Sequence, residues 1–555
     1  MAKAKRSRVE AQAATSRLAF LDAMSGDRSL DTQQEMLREC ITANQSTDFG
    51  REHDFKGVRS MGDYKKAAPI RHYEELEPWI SRIVDGEDRV LTESYPVRFW
   101  KTTGTTSKAK KIPVTSKMAM RNMESFLTLY GMQLHYHREV GGRNDTTLVT
   151  HLSPKRIKEF LGPKRIPYCS TTEVPVEPRS RSRDRMAPWA RGLQDVVEDD
   201  SIRLYYLLCY AALHDLRSIV CLHPSRFRTI AACLENEWQS LIEDIRDGTV
   251  LGHPERNPAM KRAEELERVQ KRNGVIRPRD IWPNLTFVAS WSGGYIDRYR
   301  KLMSESFCDG FLPMPSISSE AFATMTIDQD PISQPLNIRG GLFEFIPADQ
   351  KVKPDSETLE FHELQEGTSY EVILTTFGGL YRYAMCDIFT VRGFEGRVPR
   401  LEYSGRRSVS DLVGEKLAED QVSTVVAQTL EQSDIDDSDF AMCGVQSVDA
   451  ESKPIYVLAL EARRDLEESR YEELAAILDR EFRKVNSRYE LKRNFQDIDH
   501  LRVQPLSHGT FVRYRQLLVD RGMPAGQLKD KVLHKDGHIV LSELLELSDA
   551  LEGAN

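Results

Sequence analysis

Long apolar runs are missing from this 555-residue chain. The most apolar stretch, Leu204 to Leu213, is about half of the roughly 20 residues that span a bilayer, so it predicts a buried helix and no membrane span. Paired cysteines are missing too. Cys40, Cys169, Cys209, Cys221, Cys233, Cys308, Cys386 and Cys443 are scattered, with no Cys-x-x-Cys pair and no metal-ligand spacing. That pattern fits a reduced cytoplasm better than an oxidising compartment. No apolar segment follows the basic stretch Met1–Arg8, which reads as a solvated tail and not as a secretory signal. An excess of positive charge is also absent. A net charge of −8 argues against a nucleic-acid surface covering the whole protein, and leaves small molecules as the expected partners of a monomer.

What is present is ordinary for a globular enzyme: 40% apolar and 29% charged residues. A single core rarely grows past roughly 250–300 residues, so the length implies two or more domains. Apolar spacing predicts helices over Gln33–Ala43, Glu74–Val84 and Ser116–Arg138. Alternation then sets in, with a helix over Ile202–Leu216, a strand over Ser218–Leu222 and a helix over Arg226–Asp247 stopped by Gly248. Between these lies Glu177–Arg185, without hydrophobic periodicity, read as a mobile surface loop. From Gly341 short strands follow: Leu342–Ile346, Ser369–Thr375, Leu380–Tyr383, Ile388–Arg392 and Arg400–Tyr403. The last part reads helix (Ala418–Leu430), strand (Phe440–Val445), strand (Ile455–Leu460), helix (Tyr471–Val485), strand (Leu501–Pro505), compact enough to be its own domain.

One segment suits anionic oxygens. Lys101-Thr-Thr-Gly-Thr-Thr-Ser-Lys-Ala-Lys-Lys111 packs hydroxyls, one glycine and several cations just before Ile112-Pro113 and a helix. Gly104 permits close backbone approach, hydroxyls and amides donate to phosphate, and lysines neutralise charge. Neither the P-loop nor the dinucleotide fingerprint occurs in it. Other candidates are weaker. His135 and His137 are two apart in a predicted helix and point to different faces. Asp434–Asp439 lacks the later EF-hand positions and reads as a solvated loop.

The Lys101–Lys111 segment is similar to the phosphate-binding signature of adenylate-forming enzymes. Its surroundings resemble the auxin-responsive Gretchen Hagen family of acyl acid amido synthetases. The likeness extends through Asn44–Phe55, Pro69–Leu76, Gly86–Leu91, Ile112–Thr115, Leu241–Gly248 and Ile281–Pro283, over roughly residues 35 to 535. It implies an α/β fold. A large N-terminal adenylation domain, residues 1–405, would combine α/β layers with a small β-rich subdomain. A smaller mobile α+β lid, residues 406–555, would follow a hinge near Gly405–Arg407.

The resemblance also assigns residues. Thr102, Thr103, Thr105, Thr106, Ser107 and Lys110 would cradle phosphate, and Ser318 and Ser319 of Ser316–Ala321 would lie near the nucleotide. Glu320 would help hold Mg²⁺, which takes one or two carboxylates plus phosphate oxygens. Gly379-Leu-Tyr-Arg-Tyr-Ala-Met-Cys-Asp387 is similar to the family's Gly-Leu-Tyr-Arg-Tyr-x-x-Gly-Asp, with Asp387 accepting from the ribose hydroxyls. Phe343, Tyr381 and Arg406 complete the implied ATP contacts. Lys416 and Lys529 are the implied catalytic lysines, the latter in a segment like the family's terminal Arg-Gly-x-x-x-x-Gln-x-Lys. Arg121, Met123, Leu127 and Tyr130 on the following helix are the candidate acyl contacts. Three departures stand out: Ser107 for Gly, Ser316-Ile317 before Ser-Ser-Glu, and Cys386 for Gly. The implied reaction joins a small carboxylic acid to an amine or amino acid through an acyl adenylate, with the lid rotating between stages. A thioester-forming ligase and a non-catalytic nucleotide-binding relative are the alternatives.

Overall fold

A computed structural model of the chain describes residues 2–552 except 103–108, 142–145, 151–152, 156–158, 172, 176–188, 190–199, 293–295, 407–408, 411, 414, 416, 436–437, 447–452, 465, 522, 524–530 and 535–536. The backbone alone is described at 2–7, 153–155, 173–175, 200–201, 297–298, 406, 409 and 420. The chain divides into two compact units, residues 1–385 with 389–403, and residues 386–388 with 404–555.

Among the described residues the first unit has three larger sheets and two small two-stranded ones. A parallel four-stranded sheet runs in the order Phe311–Met314, Phe287–Trp291, Ser218–Val220, Thr147–Val149. Its strands are short and apolar on both faces, as expected where helices cover a parallel sheet. Helix Asp200–Ala211 contributes to its core, with Leu204 at 1% and Leu208 at 0% exposure, so the longest apolar stretch is indeed a buried helix. Among the described residues no helix is long and apolar enough to cross a membrane. None of the eight cysteines is in a disulfide.

A second sheet pairs Arg98–Lys101 antiparallel with Lys111–Val114, in register Lys101 to Lys111, and thereby holds the two ends of the Thr/Gly/Lys segment together. Thr115 then starts helix Ser116–Tyr136. Its hydroxyl accepts from the Met118 amide at 3.3 Å and donates to the Phe377 carbonyl at 2.7 Å, satisfying one orphan helix donor and tying the helix to a distant turn. The third sheet has six strands, ordered Gln334–Pro335, Val398–Arg406, Tyr383–Glu395, Ser369–Thr375, Leu342–Pro347, Leu359–Glu360.

One expectation gains detail and another needs correcting. The basic N-terminus is helical, the opening of helix Ala2–Ala23, with Arg8 exposed. Ala13 and Phe20 are buried, and the helix comes so close to Ser116–Tyr136 that a Cβ at Gly131 would sit 2.3 Å from the Ala13 carbonyl oxygen. Small residues at such a contact carry little apolar signal. Leu380–Tyr383 is no separate strand, because Gly379 (φ +95°) and Arg382 (φ +47°) turn the chain, and the strand begins at Tyr383. The Glu177–Arg185 loop lies outside the described residues.

The second unit is a four-stranded sheet ordered Arg502–Pro505, Ile455–Glu461, Asp439–Val445, Leu533–His534, packed with helices Glu419–Gln432, Glu468–Val485, Thr510–Asp520 and Gly537–Glu552. The Gly509-Thr510-Phe511 motif has a structural role here. The buried Glu461 carboxylate accepts from the Gly509 and Phe511 amides at 2.7 and 2.8 Å, which caps helix Thr510–Asp520 and suits its dipole.

Candidate active site

The neck of the Thr/Gly/Lys segment is closed twice. The Thr102 amide donates to the Lys110 carbonyl at 3.3 Å, and the Lys110 amide donates to the Thr102 hydroxyl at 3.1 Å. Lys110 then turns its ammonium onto the Gly379–Asp387 motif, donating to the Tyr383 phenol at 3.0 Å while lying 5.3 Å from the Tyr73 ring centre and 5.6 Å from that of Tyr383. Tyr73 accepts from the Lys111 amide at 2.7 Å, and burial pushes its phenol up to about 12, so it stays neutral. Among the described residues no carboxylate pairs with Lys110. A half-buried ammonium held by the Tyr383 phenol and by two aromatic faces keeps its charge available to an anion.

The block Pro69–Leu76 explains how Tyr383 is placed. The Arg71 amide donates to the Arg382 carbonyl at 3.0 Å, and the Ala384 amide donates to the Arg71 carbonyl at 2.8 Å, a short parallel bridge that stitches the two segments together. Arg382 itself is spent on the fold. Its five N–H groups go to Glu344 (2.9–3.2 Å), Thr358, and the Lys65 and Ala68 carbonyls, and the Arg382–Glu344 pair is buried at 2% and 1% side-chain exposure. Neither Tyr73, Tyr383 nor Glu344 stood out in the sequence; the only signal was their place beside recognisable motifs.

In Ser316–Ala321 the two serines divide. The Ser318 hydroxyl donates to the Ala321 carbonyl at 3.3 Å and accepts from the Glu320 and Ala321 amides at 3.2 Å each, using its one donor and both lone pairs. It shapes the turn and has nothing left for a nucleotide. Ser319 is half-buried and makes no hydrogen bond among the described residues. Glu320 is 6% exposed, and its carboxylate meets neither a donor nor a cation among the described residues. A carboxylate that is not paired with a cation among the described residues keeps its oxygens open to one, so the residue fits the Mg²⁺ role. Trp291 closes the turn from the sheet, its indole N–H donating to Ser316 at 3.4 Å while its ring meets Tyr403 edge-on at 5.0 Å.

Other assigned residues fall elsewhere. Phe343 and Tyr381 are core residues at 1% and 0% exposure, and the Tyr381 phenol donates to the Leu91 carbonyl at 2.7 Å, so neither can touch a nucleotide. Their aromatic rings fill the first unit's core. Asp387 lies in strand Tyr383–Glu395 at 9% exposure. Cys386 before it has φ +63°, the left-handed conformation that favours the glycine of the family pattern. Thr103, Thr105, Thr106, Ser107, Lys416, Lys529 and the Arg406 side chain lie outside the described residues.

On helix Ser116–Tyr136 the candidate acyl residues occupy two faces. Met120, Met123, Leu127 and Tyr130 form an apolar stripe, with Met120 and Met123 left 55% and 41% exposed. Arg121 points away from it, donating to Glu39 at 2.9 Å and Glu124 at 3.2 Å. Burial pushes the Glu39 carboxyl up, but hydrogen bonds from Lys117 and Arg121 outweigh it and hold the carboxyl below its usual value. Arg121 therefore faces those carboxylates and is not part of the stripe. His137 ends the helix stacked on Phe287 at 4.1 Å, which accounts for it without a metal.

Family models of the GH3 N-terminal, central and C-terminal domains match residues 20–314, 335–406 and 420–538. The chain belongs to the GH3 family. The 4-substituted benzoates-glutamate ligase GH3.12 of Arabidopsis thaliana is 25% identical, over 91% of this chain and 93% of its own. The solved structure of the acyl acid amido synthetase AtGH3.15 in complex with 2,4-DB superposes with TM-score 0.79 at 18% identity, covering 96% of this chain and 95% of that one. A 2-hydroxyisobutyryl-CoA ligase in the postadenylation state follows at TM-score 0.50 and 12% identity, covering 95% and 94%. This GH3 chain thus shares the mixed α/β fold of adenylate-forming enzymes, a large N-terminal part followed by a smaller C-terminal one.

Proposed function

We propose that this GH3 chain is an ATP-dependent acyl acid amido synthetase. The observation that carries the reading is the ammonium of Lys110 at the neck of the phosphate-binding segment, aimed by Tyr383 and Tyr73 and without a carboxylate partner among the described residues. The acid's carboxylate attacks the α-phosphorus of ATP, giving an acyl adenylate and pyrophosphate. An amine, taken to be an amino acid as in the relatives' names, then attacks the acyl carbon and AMP leaves.

Lys110 neutralises phosphate charge as it grows, and the Thr102 hydroxyl keeps the segment's two ends in register. Ser319 offers a hydroxyl to the nucleotide, and Asp387 accepts from the ribose diol. Glu320 would hold Mg²⁺, which screens the phosphates when bound. Lys416 and Lys529 supply further positive charge to the two half-reactions. The apolar stripe Met123, Leu127 and Tyr130 receives the acyl group, so a small aromatic or aliphatic acid is the substrate class.

Carboxylate-dependent exchange of labelled pyrophosphate into ATP, run across such acids, tests the first half. Exchange is expected, followed by AMP release when amino acids are added. Absence of exchange with every acid would overturn the adenylation reading. AMP release with coenzyme A and never with an amine would reassign the chain as a thioester ligase.

A further inference from the structure

His53 is a buried titratable group that the proposed mechanism leaves unused. It follows helix Asp48–Glu52, and its ring stacks on Phe49 at 4.1 Å, which stacks in turn on Tyr381 at 4.7 Å. Both ring nitrogens are engaged. Nδ1 lies 2.9 Å from the Phe49 carbonyl oxygen, and Nε2 lies 2.6 Å from a guanidinium nitrogen of Arg71. A carbonyl only accepts and a guanidinium only donates, so the partners fix one tautomer: Nδ1 carries the proton and Nε2 is the acceptor.

Arg71 depends on that acceptor. Among the described residues no carboxylate pairs with its guanidinium, which otherwise donates to the Pro69 carbonyl at 3.2 Å and lies 4.9 Å from the Phe49 ring centre. Its backbone makes both hydrogen bonds of the bridge that flanks Tyr383, and Tyr73 stands two residues further on. The two aromatic residues that aim Lys110 thus both hang from the segment that His53 anchors. A second proton, on Nε2, would remove the acceptor and set an imidazolium against a guanidinium.

The surrounding charges do not undo this. Burial pushes the His53 imidazole below its ordinary value of 6.5; the hydrogen bond to the Phe49 carbonyl and the Glu52 charge pull it up, while the Arg71 charge pushes it down further. Glu75, Glu52 and the buried Tyr64 phenol act on Arg71 through space without replacing the lost acceptor. The neutral form therefore prevails at pH 7 and is lost only as pH falls through a value below 6.5.

We propose that His53 is a positioning residue for Lys110: its neutral imidazole holds Arg71, the Arg71 segment holds Tyr383 and Tyr73, and protonation of Nε2 loosens that chain and weakens phosphate binding. The proposal rests on the reading of Lys110 as the phosphate-binding ammonium, and goes beyond it by giving nucleotide binding an acid limb set from outside the phosphate-binding segment.

Calorimetric titration of the full chain with Mg·ATP at pH 7.5 and pH 5.5 is the test, with circular dichroism checking that each variant is folded. His53→Gln keeps an acceptor for Arg71 but cannot titrate, and the protonation of ATP itself cancels in the comparison. The ratio of wild-type to variant dissociation constants should rise about threefold or more between the two pH values, whatever it is at pH 7.5. Arg71→Gln, which removes the opposing charge, should show the same rise and decides the matter if His53→Gln does not fold. In a Lys110→Ala background the rise should vanish. Parallel pH profiles for wild type and variant, or a rise that persists without Lys110, overturn the positioning role. Parallel profiles with pyrophosphate exchange intact would sink this role alone, and diverging profiles without exchange for any acid would sink the adenylation reading alone.

Discussion

Two cations meet the Gly379–Asp387 motif, and they are treated in opposite ways. Arg382 is buried with all five donors satisfied and a carboxylate in contact. Lys110 rests on phenols and faces no carboxylate among the described residues. The motif thus uses one cation to hold its own turn, and the other is the one proposed to meet an incoming anion. The division predicts that their removal separates stability from activity. Arg382→Ala leaves Glu344 buried and unpaired at 1% exposure, which costs about 3–5 kcal/mol. Urea unfolding measures it, and a loss no larger than that of a surface pair, about 1 kcal/mol or less, would break the comparison.

Lys110→Ala tests the other half. The unfolding midpoint should hardly move, while carboxylate-dependent pyrophosphate exchange falls by about 10²–10³. Equal loss of fold and activity would mean that the Tyr383 contact is structural.

A third basic group shows a third treatment. Burial, and then the nearby Lys531 charge, push the His534 imidazole down to about 4, so this histidine gives up its charge altogether. The unfolded chain binds the proton near pH 6.5 while the folded chain refuses it until about pH 4. Stability is therefore lost as pH falls between those values, by about 3 kcal/mol in total, and is flat in this group below them. His534→Gln, followed by denaturation at pH 7.5, 5.5 and 4.5, should flatten that slope; an unchanged slope would assign it to other groups.

The same contrast explains what could be read from the sequence. Elements defined by apolar spacing were legible: helix Tyr73–Val84 and strands Ser369–Thr375 and Ile455–Glu461 lie within a residue or so of expectation. Helix Ala2–Ala23 was not, because its packing rests on Ala13 and Gly131, whose contact has no hydrophobic pattern. Motifs gave the neighbourhood of the site but not the allotment of side chains within it. Ser318 and Ser319 are identical letters, and only the turn geometry shows that the first is saturated. Phe343 and Tyr381 point into the core, the first on a strand buried on both faces and the second in the turn before Tyr383. The pairing of Arg382 with Glu344, 38 residues away, depends on a tertiary contact that no local spacing encodes.

The smallest expected effect concerns the residue that departs from the family pattern beside these cations. Cys386 keeps φ +63° although it carries a Cβ. An L-residue pays about 1–2 kcal/mol for that conformation, and glycine pays roughly 0.5–1 kcal/mol more backbone entropy on folding. Cys386→Gly should therefore stabilise the chain by about 0.5–1 kcal/mol, read as a higher urea midpoint with an unchanged slope. Arg382, at φ +47°, bears similar strain but all five of its side-chain N–H donors are hydrogen-bonded, so Arg382→Gly should lose stability almost as heavily as the alanine variant. If Cys386→Gly also destabilised, the thiol's own contacts would outweigh the backbone strain, and the departure from glycine would be an adaptation of this chain and not a tolerated defect.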